Sequence, residues 1–319
     1  MRSVPELLVE PVGLSFTHLR LRVVAVLTPG TVLSPGATGT ALFCHRALCC
    51  RRAQPEPSRA VSASRLGSVS VRWMFDLSDK TALVTGAGQN VGAGIAGALA
   101  AQGAHVLVND LLPERAAEVA DQLTAAGGSA APAAFDVTDL DAVQAELAKH
   151  PPVNILVNNA GNGGAEQMRP KPFREMEPAE WDSPIEVNLR GVLNCVHAVI
   201  NPMVGAGWGR IITISSGAGS SGVGIGVAPY SAGKGGGLGF MRSLALENAQ
   251  FGVTANSVAL GLMDNTAGGD YTEHLARGIP VKRLGTPADI GAICVYLASE
   301  EASWITGQTI NVNGGSITS

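Results

Sequence analysis

Lysine is missing from the first 73 residues of this 319-residue chain, and acids are scarce there: the segment holds nine of the 22 basic residues and three of the 26 acidic ones, a balance of +6. Residues 74 to 319 carry the other thirteen basic and 23 acidic residues, a balance of −10, which argues against a nucleic-acid surface in the body of the protein. Cysteine is also rare. Three of the five (Cys44, Cys49, Cys50) lie in the first stretch, and Cys195 and Cys294 stand far apart on predicted helices. No disulfide framework is implied; both read as small core residues in a reducing compartment. The six histidines have no paired ligand spacing, so no metal site is expected, and His197 on an apolar helix reads as a packed residue. Long apolar runs are lacking too. The most apolar stretch, Val23 to Phe43, is interrupted by Pro29, Gly30, Pro35 and Gly36, against a membrane span. There is no internal repeat.

Three readings of residues 1 to 73 stay open. Arginine without lysine and many serines resemble an organellar transit peptide, although six prolines would break its amphipathic helix. The segment also reads as leader sequence upstream of a true start at Met74, or as a functional tail. In each case it is an N-terminal extension expected to be disordered. Residues 74 to 319 are ample for one α/β domain, cytoplasmic unless the extension directs it to an organelle.

From Met74 onward strands and helices alternate. Lys80 to Thr85 is a short apolar run stopped by glycine, a buried strand feeding a turn. A helix over Val91 to Ala101 is closed by Gly103, the strand His105 to Asn109 ends at Asp110, and Pro113 opens a second helix. The pattern continues with strand Ala131 to Phe135, a helix near Leu140 to Lys149, strand Asn154 to Val157, one helix near Trp181 to Val204, and strand Arg210 to Ile214. A helix from Tyr230 to Asn248, strand Thr254 to Val258, a variable segment to Pro280, helix Pro287 to Ala298 and strand Thr309 to Val312 complete it. Strands apolar on both faces and alternating with helices give a Rossmann-like, doubly wound parallel sheet of about seven strands, covered on both sides.

The turn after the first strand carries the first chemistry. Gly86, Gly88, Gln89, Asn90, Val91 and Gly92 lead into a helix; glycines there let backbone approach a pyrophosphate, whose charge a helix N-terminus favours. Asn90 stands where a third glycine is expected, and asparagine tolerates a left-handed conformation. Asp110, eighteen residues beyond Gly92, is placed to accept ribose hydroxyls and to repel a 2′-phosphate. That favours NAD over NADP, with Arg115 one helical turn away as the reservation. Downstream, Tyr230 and Lys234 are four apart, on one helix face, after the pair Ser215-Ser216. A lysine charge about 4 Å from a phenol, at an effective dielectric of about 20, contributes about 4 kcal/mol and would lower the phenol pKa by up to about three units.

Taken in order, these residues resemble the short-chain dehydrogenase/reductase family across Met74 to Gly315. Thr85 to Gly92 matches its glycine turn except at Asn90, Asp136-Val137 its adenine contact, Asn158-Asn159-Ala160-Gly161 its signature after the fourth strand, and Val187-Asn188-Leu189-x-Gly191 the segment of its catalytic asparagine. The resemblance implies a catalytic set of Asn188, Ser216, Tyr230 and Lys234. It implies a cofactor set that adds Asp136, Val137, Asn159, Ala160, Gly161 and Met263 to the turn and Asp110. Tyr230 would exchange a proton with the substrate oxygen while the nicotinamide exchanges hydride; Lys234 would lower its pKa and bond the ribose; Ser216 would hold the oxygen; Asn188 would position a water.

Three departures matter. Tyr230 stands fourteen positions after Ser216, one more than usual; Leu260-Gly261 replaces Pro-Gly; and Pro184 should start or kink the Asn188 helix. Gly217 to Pro229 and Leu262 to Pro280 are expected to recognise substrate, with Leu262, Met263, Tyr271, Leu275 and Ile279 as an apolar lid. A secondary alcohol or ketone is the expected substrate. The alternative is a 3-oxoacyl thioester on an acyl carrier protein or CoA, met by the basic cluster Arg169, Lys171 and Arg174; the remote one is a silent dinucleotide-binding regulator. The glycines at 235, 236, 237 and 239 each cost roughly 1 kcal/mol in a helix. They suggest close backbone approach, in the family across a two-fold axis of a homodimer or homotetramer.

Overall fold

The structure, a computed structural model, describes residues 74–161, 170–264 and 270–318. The extension 1 to 73 and Arg169 lie outside them. Seven parallel strands form one sheet in the order β3-β2-β1-β4-β5-β6-β7: β1 Thr81–Val84, β2 His105–Val108, β3 Ser129–Pro132, β4 Ile155–Asn158, β5 Gly209–Ser216, β6 Val253–Leu260 and β7 Thr309–Val312. The order reverses between β1 and β4, and at such a switch point the strand ends open a crevice.

Side chains alternate through the sheet. Ala82, Val84, Ile155, Val157, Ile212 and Ile214 enter one core with Ile95 and Leu99 of α1 (Asn90–Ala101). Leu83, Leu156 and Ile211 enter the other. The first core is completed by α9 (Pro287–Ala298), through Ile290, Cys294 and Leu297. The second is closed by α5 (Gly191–Ala206) and α7 (Ala228–Asn248), through Val192, Cys195, Val199, Met203, Met241 and Leu244. Each fully buried Leu, Ile or Val contributes roughly 1.5–3 kcal/mol, so neither face can be left open. Helices α2 (Pro113–Ala125), α3 (Leu140–Leu147), α4 (Ala179–Ile185), α6 (Gly217–Ser220) and α8 (Asp270–Arg277) complete the set. No described helix is long and apolar enough to cross a membrane.

Several expectations are corrected. β3 ends at Pro132, short of Phe135: proline has no N–H for a ladder, and the carbonyls of Ala133 and Phe135 instead accept from the Asn109 amide at 3.0 and 3.1 Å. The single helix expected near 181–204 is broken into α4, a π turn over Glu186–Arg190, and α5. Pro184 lies inside α4, and the turn past it widens so that the Gly191 N–H reaches Glu186 O. Residues 217–220 and 270–277, not expected to be helical, form α6 and α8. His197 is exposed, because the core stripe of α5 runs through Val192, Cys195, Val196 and Val199.

Candidate active site

The glycine turn is drawn tight by its neighbours. Gly86 has φ +59° and Asn90 φ +48°, the left-handed conformation that asparagine tolerates. A methyl group on Gly86 would lie 2.9 Å from Ala160 Cα, and one on Gly88 2.6 Å from Asp110 Oδ2; one on Gly92 would run into the Gly86 carbonyl. Thr85 Oγ1 accepts from the N–H groups of Asn159 and Ala160, each at 3.0 Å. Asn159 Nδ2 donates back to the carbonyls of Thr85 (2.9 Å) and Gly86 (3.0 Å). The turns after β1 and β4 are thus cross-tied, and the Asn159 amide acts on the turn itself. No side chain caps the start of α1, nor is there an acid in its first turn. The first N–H groups of that helix, around Asn90, Val91 and Gly92, are therefore left as donors for an anion. The cradle suits a pyrophosphate.

Asp110 is buried beside it. Its Oδ2 accepts from Gly88 N–H at 3.2 Å and its Oδ1 from Leu112 N–H at 3.1 Å, which leaves further lone pairs for a ligand. A methyl group on Gly88 would also come 2.6 Å from Arg115 Cβ, so this arginine stands over the same turn. Asp136 is exposed and its Oδ1 accepts from Thr138 N–H at 2.8 Å. Val137 is buried against the start of α5.

The reacting end lies at the ends of β4 and β5. Ser216 and Ser215 part company there. Ser216 caps α6 through Ala218 N–H at 3.2 Å, and its hydroxyl acts on the Tyr230 phenol, lowering its pKa. Ser215 is turned inward and donates to Lys234 O at 3.4 Å. The extra residue between Ser216 and Tyr230 is taken up in a loop with Gly222 and Gly226 both at φ +77°. Gly226 O accepts from Lys171 N–H at 2.9 Å. Tyr230 packs with Ala218 and Val227.

Lys234 is buried, and its Nζ donates to Ile214 O at 2.8 Å. Asn188, 1% exposed in the π turn, donates from Nδ2 to Pro184 O at 2.8 Å. Both groups border Gly161: a methyl group there would lie 2.7 Å from Lys234 Nζ and 2.8 Å from Asn188 Oδ1. The four expected catalytic side chains are therefore brought together in two linked pairs, Ser216 with Tyr230 and Lys234 with Asn188.

The electrostatics differ from the expectation. Lys234 Nζ is 6.0 Å from the Tyr230 ring centroid, and burial pushes its pKa down to about 8. The Tyr230 phenol is raised above its ordinary value by burial, with the Ser216 hydrogen bond pulling the other way. Desolvation of both groups outweighs the attraction between ammonium and phenolate.

In the two segments expected to recognise substrate, Val223, Ile225 and Leu262 are exposed. Met263 forms a parallel bridge with Gly285. Ile279, expected in an apolar lid, is buried; it and Leu262 line a cavity of about 210 Å³ with Val281, Leu284 and Val312, a lining that includes neither Tyr230 nor Ser216. The Tyr271 side chain lies outside the described residues. Two glycines of the run, Gly235 and Gly236, are explained within one subunit, as is Gly233 before it. Methyl groups on Gly233, Gly235 and Gly236 would press on Pro184 O (2.9 Å), Gly219 O (3.2 Å) and Leu189 Cδ2 (3.2 Å), and Gly237 is buried over Asn188 O.

Two buried residues in this region had no place in the sequence reading, Asn109 and Asn194. Each was marked by an amide among apolar neighbours, in Val106-Leu107-Val108-Asn109 and Val192-Leu193-Asn194-Cys195.

A profile described as short chain dehydrogenase matches residues 80–275. Nodulation protein G of Azospirillum brasilense is 42% identical over 249 residues, covering 75% of this chain and 98% of that protein. Among solved structures, a gluconate 5-dehydrogenase from Burkholderia cenocepacia in complex with NADP and tartrate superposes with a TM-score of 0.70 at 32% identity, covering 76% of this chain and 96% of its own. A 3-oxoacyl-acyl-carrier-protein reductase from Brucella melitensis with bound NAD gives 0.72 at 32%, with 76% and 94% covered.

Proposed function

Because the chain belongs to the short-chain dehydrogenase/reductase family and is an oxidoreductase, we propose that Tyr230 exchanges a proton with the oxygen of a secondary alcohol or ketone during hydride transfer. The observation that carries this reading is the convergence at the ends of β4 and β5 of the buried Tyr230 phenol, the Ser216 hydroxyl that acts on it, and Lys234 and Asn188 on either side of Gly161. A bound nicotinamide dinucleotide supplies the hydride chemistry. Its pyrophosphate would sit on Gly86 to Gly92 and its adenosine ribose at Asp110, with Ala160, Gly161 and Met263 toward the nicotinamide.

Within that frame each side chain has a task. Ser216 shares the substrate oxygen with Tyr230 and stabilises the charge that develops on it. In ketone reduction the Tyr230 Oη gives up its proton to that oxygen; in alcohol oxidation its phenolate form, reached by prior loss of the phenol proton to solvent, receives one. Tyr230 is neutral at physiological pH, the form needed for donation. Lys234 stands ready to pass a proton inward, since a pKa of about 8 lets it hold or release one near neutrality. Asn188, across Gly161 from it, continues that path toward solvent through water.

The Asp110 carboxylate supports a preference for NAD, and Arg115 over the same turn leaves NADP a smaller share. A 3-oxoacyl thioester, the substrate class for which the Brucella reductase is named, is also a carbonyl compound and is the second reading. The cluster meant to greet an acidic carrier is less available than expected. Lys171 is paired with Glu180 at 2.9 Å and Arg174 with Glu175 at 2.7 Å.

A panel of alcohols, ketones, sugar acids and 3-oxoacyl thioesters, followed by nicotinamide absorbance with both dinucleotides, tests the proposal. Turnover of a secondary alcohol or its ketone is expected. Turnover of the thioesters alone would transfer the assignment to the second reading, and no turnover of any carbonyl with binding intact would favour a silent regulator.

A further inference from the structure

The stretch between β3 and α3 is held mainly by side chains. Asn109, 1% exposed, donates to the carbonyls of Ala133 (3.0 Å) and Phe135 (3.1 Å), and its Oδ1 accepts from Gly86 N–H at 3.2 Å. Asn194, 8% exposed on α5, donates to the carbonyls of Val137 (3.0 Å) and Thr138 (2.9 Å). Four carbonyls between residues 133 and 138 thus take their donors from two amides distant in sequence. Between the amides, Val137 is pressed onto Gly191, where a methyl group would come 2.7 Å from Val137 Cγ2. Asn188, Gly191 and Asn194 follow at intervals of three along the π turn and α5.

We propose that Asn109 and Asn194 are positioning residues for the dinucleotide. They fix residues 133–138 as a wall of the adenosine end and tie that wall to the glycine turn on one side and to the helix bearing Asn188 on the other. This rests on the dinucleotide-binding reading above. The chemistry requires side-chain amides: the segment lies beyond the end of the β3 ladder, its carbonyls are enclosed, and an asparagine can satisfy two of them at once. Asn109 adds an acceptor for the first amide of the phosphate turn, so the pyrophosphate and adenosine ends share one anchor. Neither residue reaches the reacting atoms. The effect falls on binding.

Calorimetric titration of the full chain with NADH, NADPH and AMP, alongside steady-state kinetics, tests this. Asn194→Leu keeps the volume and removes both donors. It is expected to raise the Kd for AMP and for the preferred dinucleotide about tenfold or more, with KM for the dinucleotide following and kcat at saturation falling far less. Asn109→Asp, which retains the acceptor for Gly86 and loses both donors, should act in the same direction. If Asn194→Leu fails to fold, Asn194→Ser, with one donor left, should show a smaller rise of the same kind. A purely structural role would lower the melting temperature and leave the AMP affinity of the folded protein unchanged, and that result overturns the inference. A wild-type protein that binds no dinucleotide overturns the cofactor reading, and this inference with it.

Discussion

Lys234 Nζ donates to the backbone carbonyl of Ile214 at 2.8 Å, so its ammonium is anchored to β5 two residues before the serine that acts on Tyr230. The anchor fixes the cation inside the subunit, and burial there brings its pKa down to about 8. Stability and chemistry therefore meet in one side chain.

Removal of that cation should change how stability depends on pH. Lys234 titrates at 10.5 when unfolded and at about 8 when folded. Between those values the unfolded chain binds more protons, so stability from this site is fully present above pH 10.5 and is lost as pH falls through 8. Below that the fold carries a cost of up to roughly 3 kcal/mol. Lys234→Met should therefore gain stability over wild type at pH 7, less whatever the unpaired Ile214 carbonyl costs, and that gain should shrink by pH 10. Denaturant melts at both pH values measure it. An equal difference at the two pH values would contradict the assignment.

Tyr230→Phe should remove turnover and leave dinucleotide affinity within about twofold, because only the proton donor is lost. Calorimetry and nicotinamide absorbance on the same sample read the two quantities. Turnover near the wild-type rate would exclude Tyr230 as the acid/base.

The two serines separate a catalytic from a packing role. Ser216→Ala should lower kcat by about a hundredfold and cost about 1 kcal/mol through the lost cap of α6. Ser215→Ala, which gives up one long hydrogen bond to Lys234 O, should keep kcat within about threefold. Equal losses in the two variants would mean the hydroxyl facing Tyr230 has no special part.

Cofactor choice should turn on Asp110. The wild type is expected to use NADH better than NADPH, and Asp110→Ser should narrow that preference by about tenfold or more by relieving repulsion of the 2′-phosphate, with Arg115 already over the turn. The ratio of kcat/KM for the two dinucleotides reports it. A wild type that favours NADPH would place the carboxylate outside the discrimination.

Assembly is better tested at Leu246 than at the glycines. Gly237 is buried within the subunit, so a large side chain there would test packing and assembly together, whereas Leu246 is 82% exposed on α7. We propose a homodimer or homotetramer, and Leu246→Glu should weaken it with little change in melting of the subunit. Light scattering of the wild type at micromolar concentration tests the premise: an active monomer would remove it.

What the sequence determined by itself is local in character. Strands apolar on both faces, Gly103 and Pro113 at helix ends, and the ordered motifs were legible because backbone periodicity and turn chemistry act over a few residues. Asn90 in a left-handed conformation follows from side-chain type alone. The pairing of Tyr230 and Lys234 on one face of α7 follows from helical spacing.

The tertiary structure decided the rest, because it depends on what is brought near from far along the chain. Which of two adjacent serines faces Tyr230 was set by the orientation of β5 against α7. The carbonyls beyond Pro132 found their donor in an amide from Asn109, and the π turn formed where Pro184 met the close approach of Gly233 to the Asn188 helix. The direction of the Tyr230 pKa was decided in the same way. A sequence places a lysine four residues from a tyrosine, but only packing fixes how much water both lose, and here desolvation outweighs the charge.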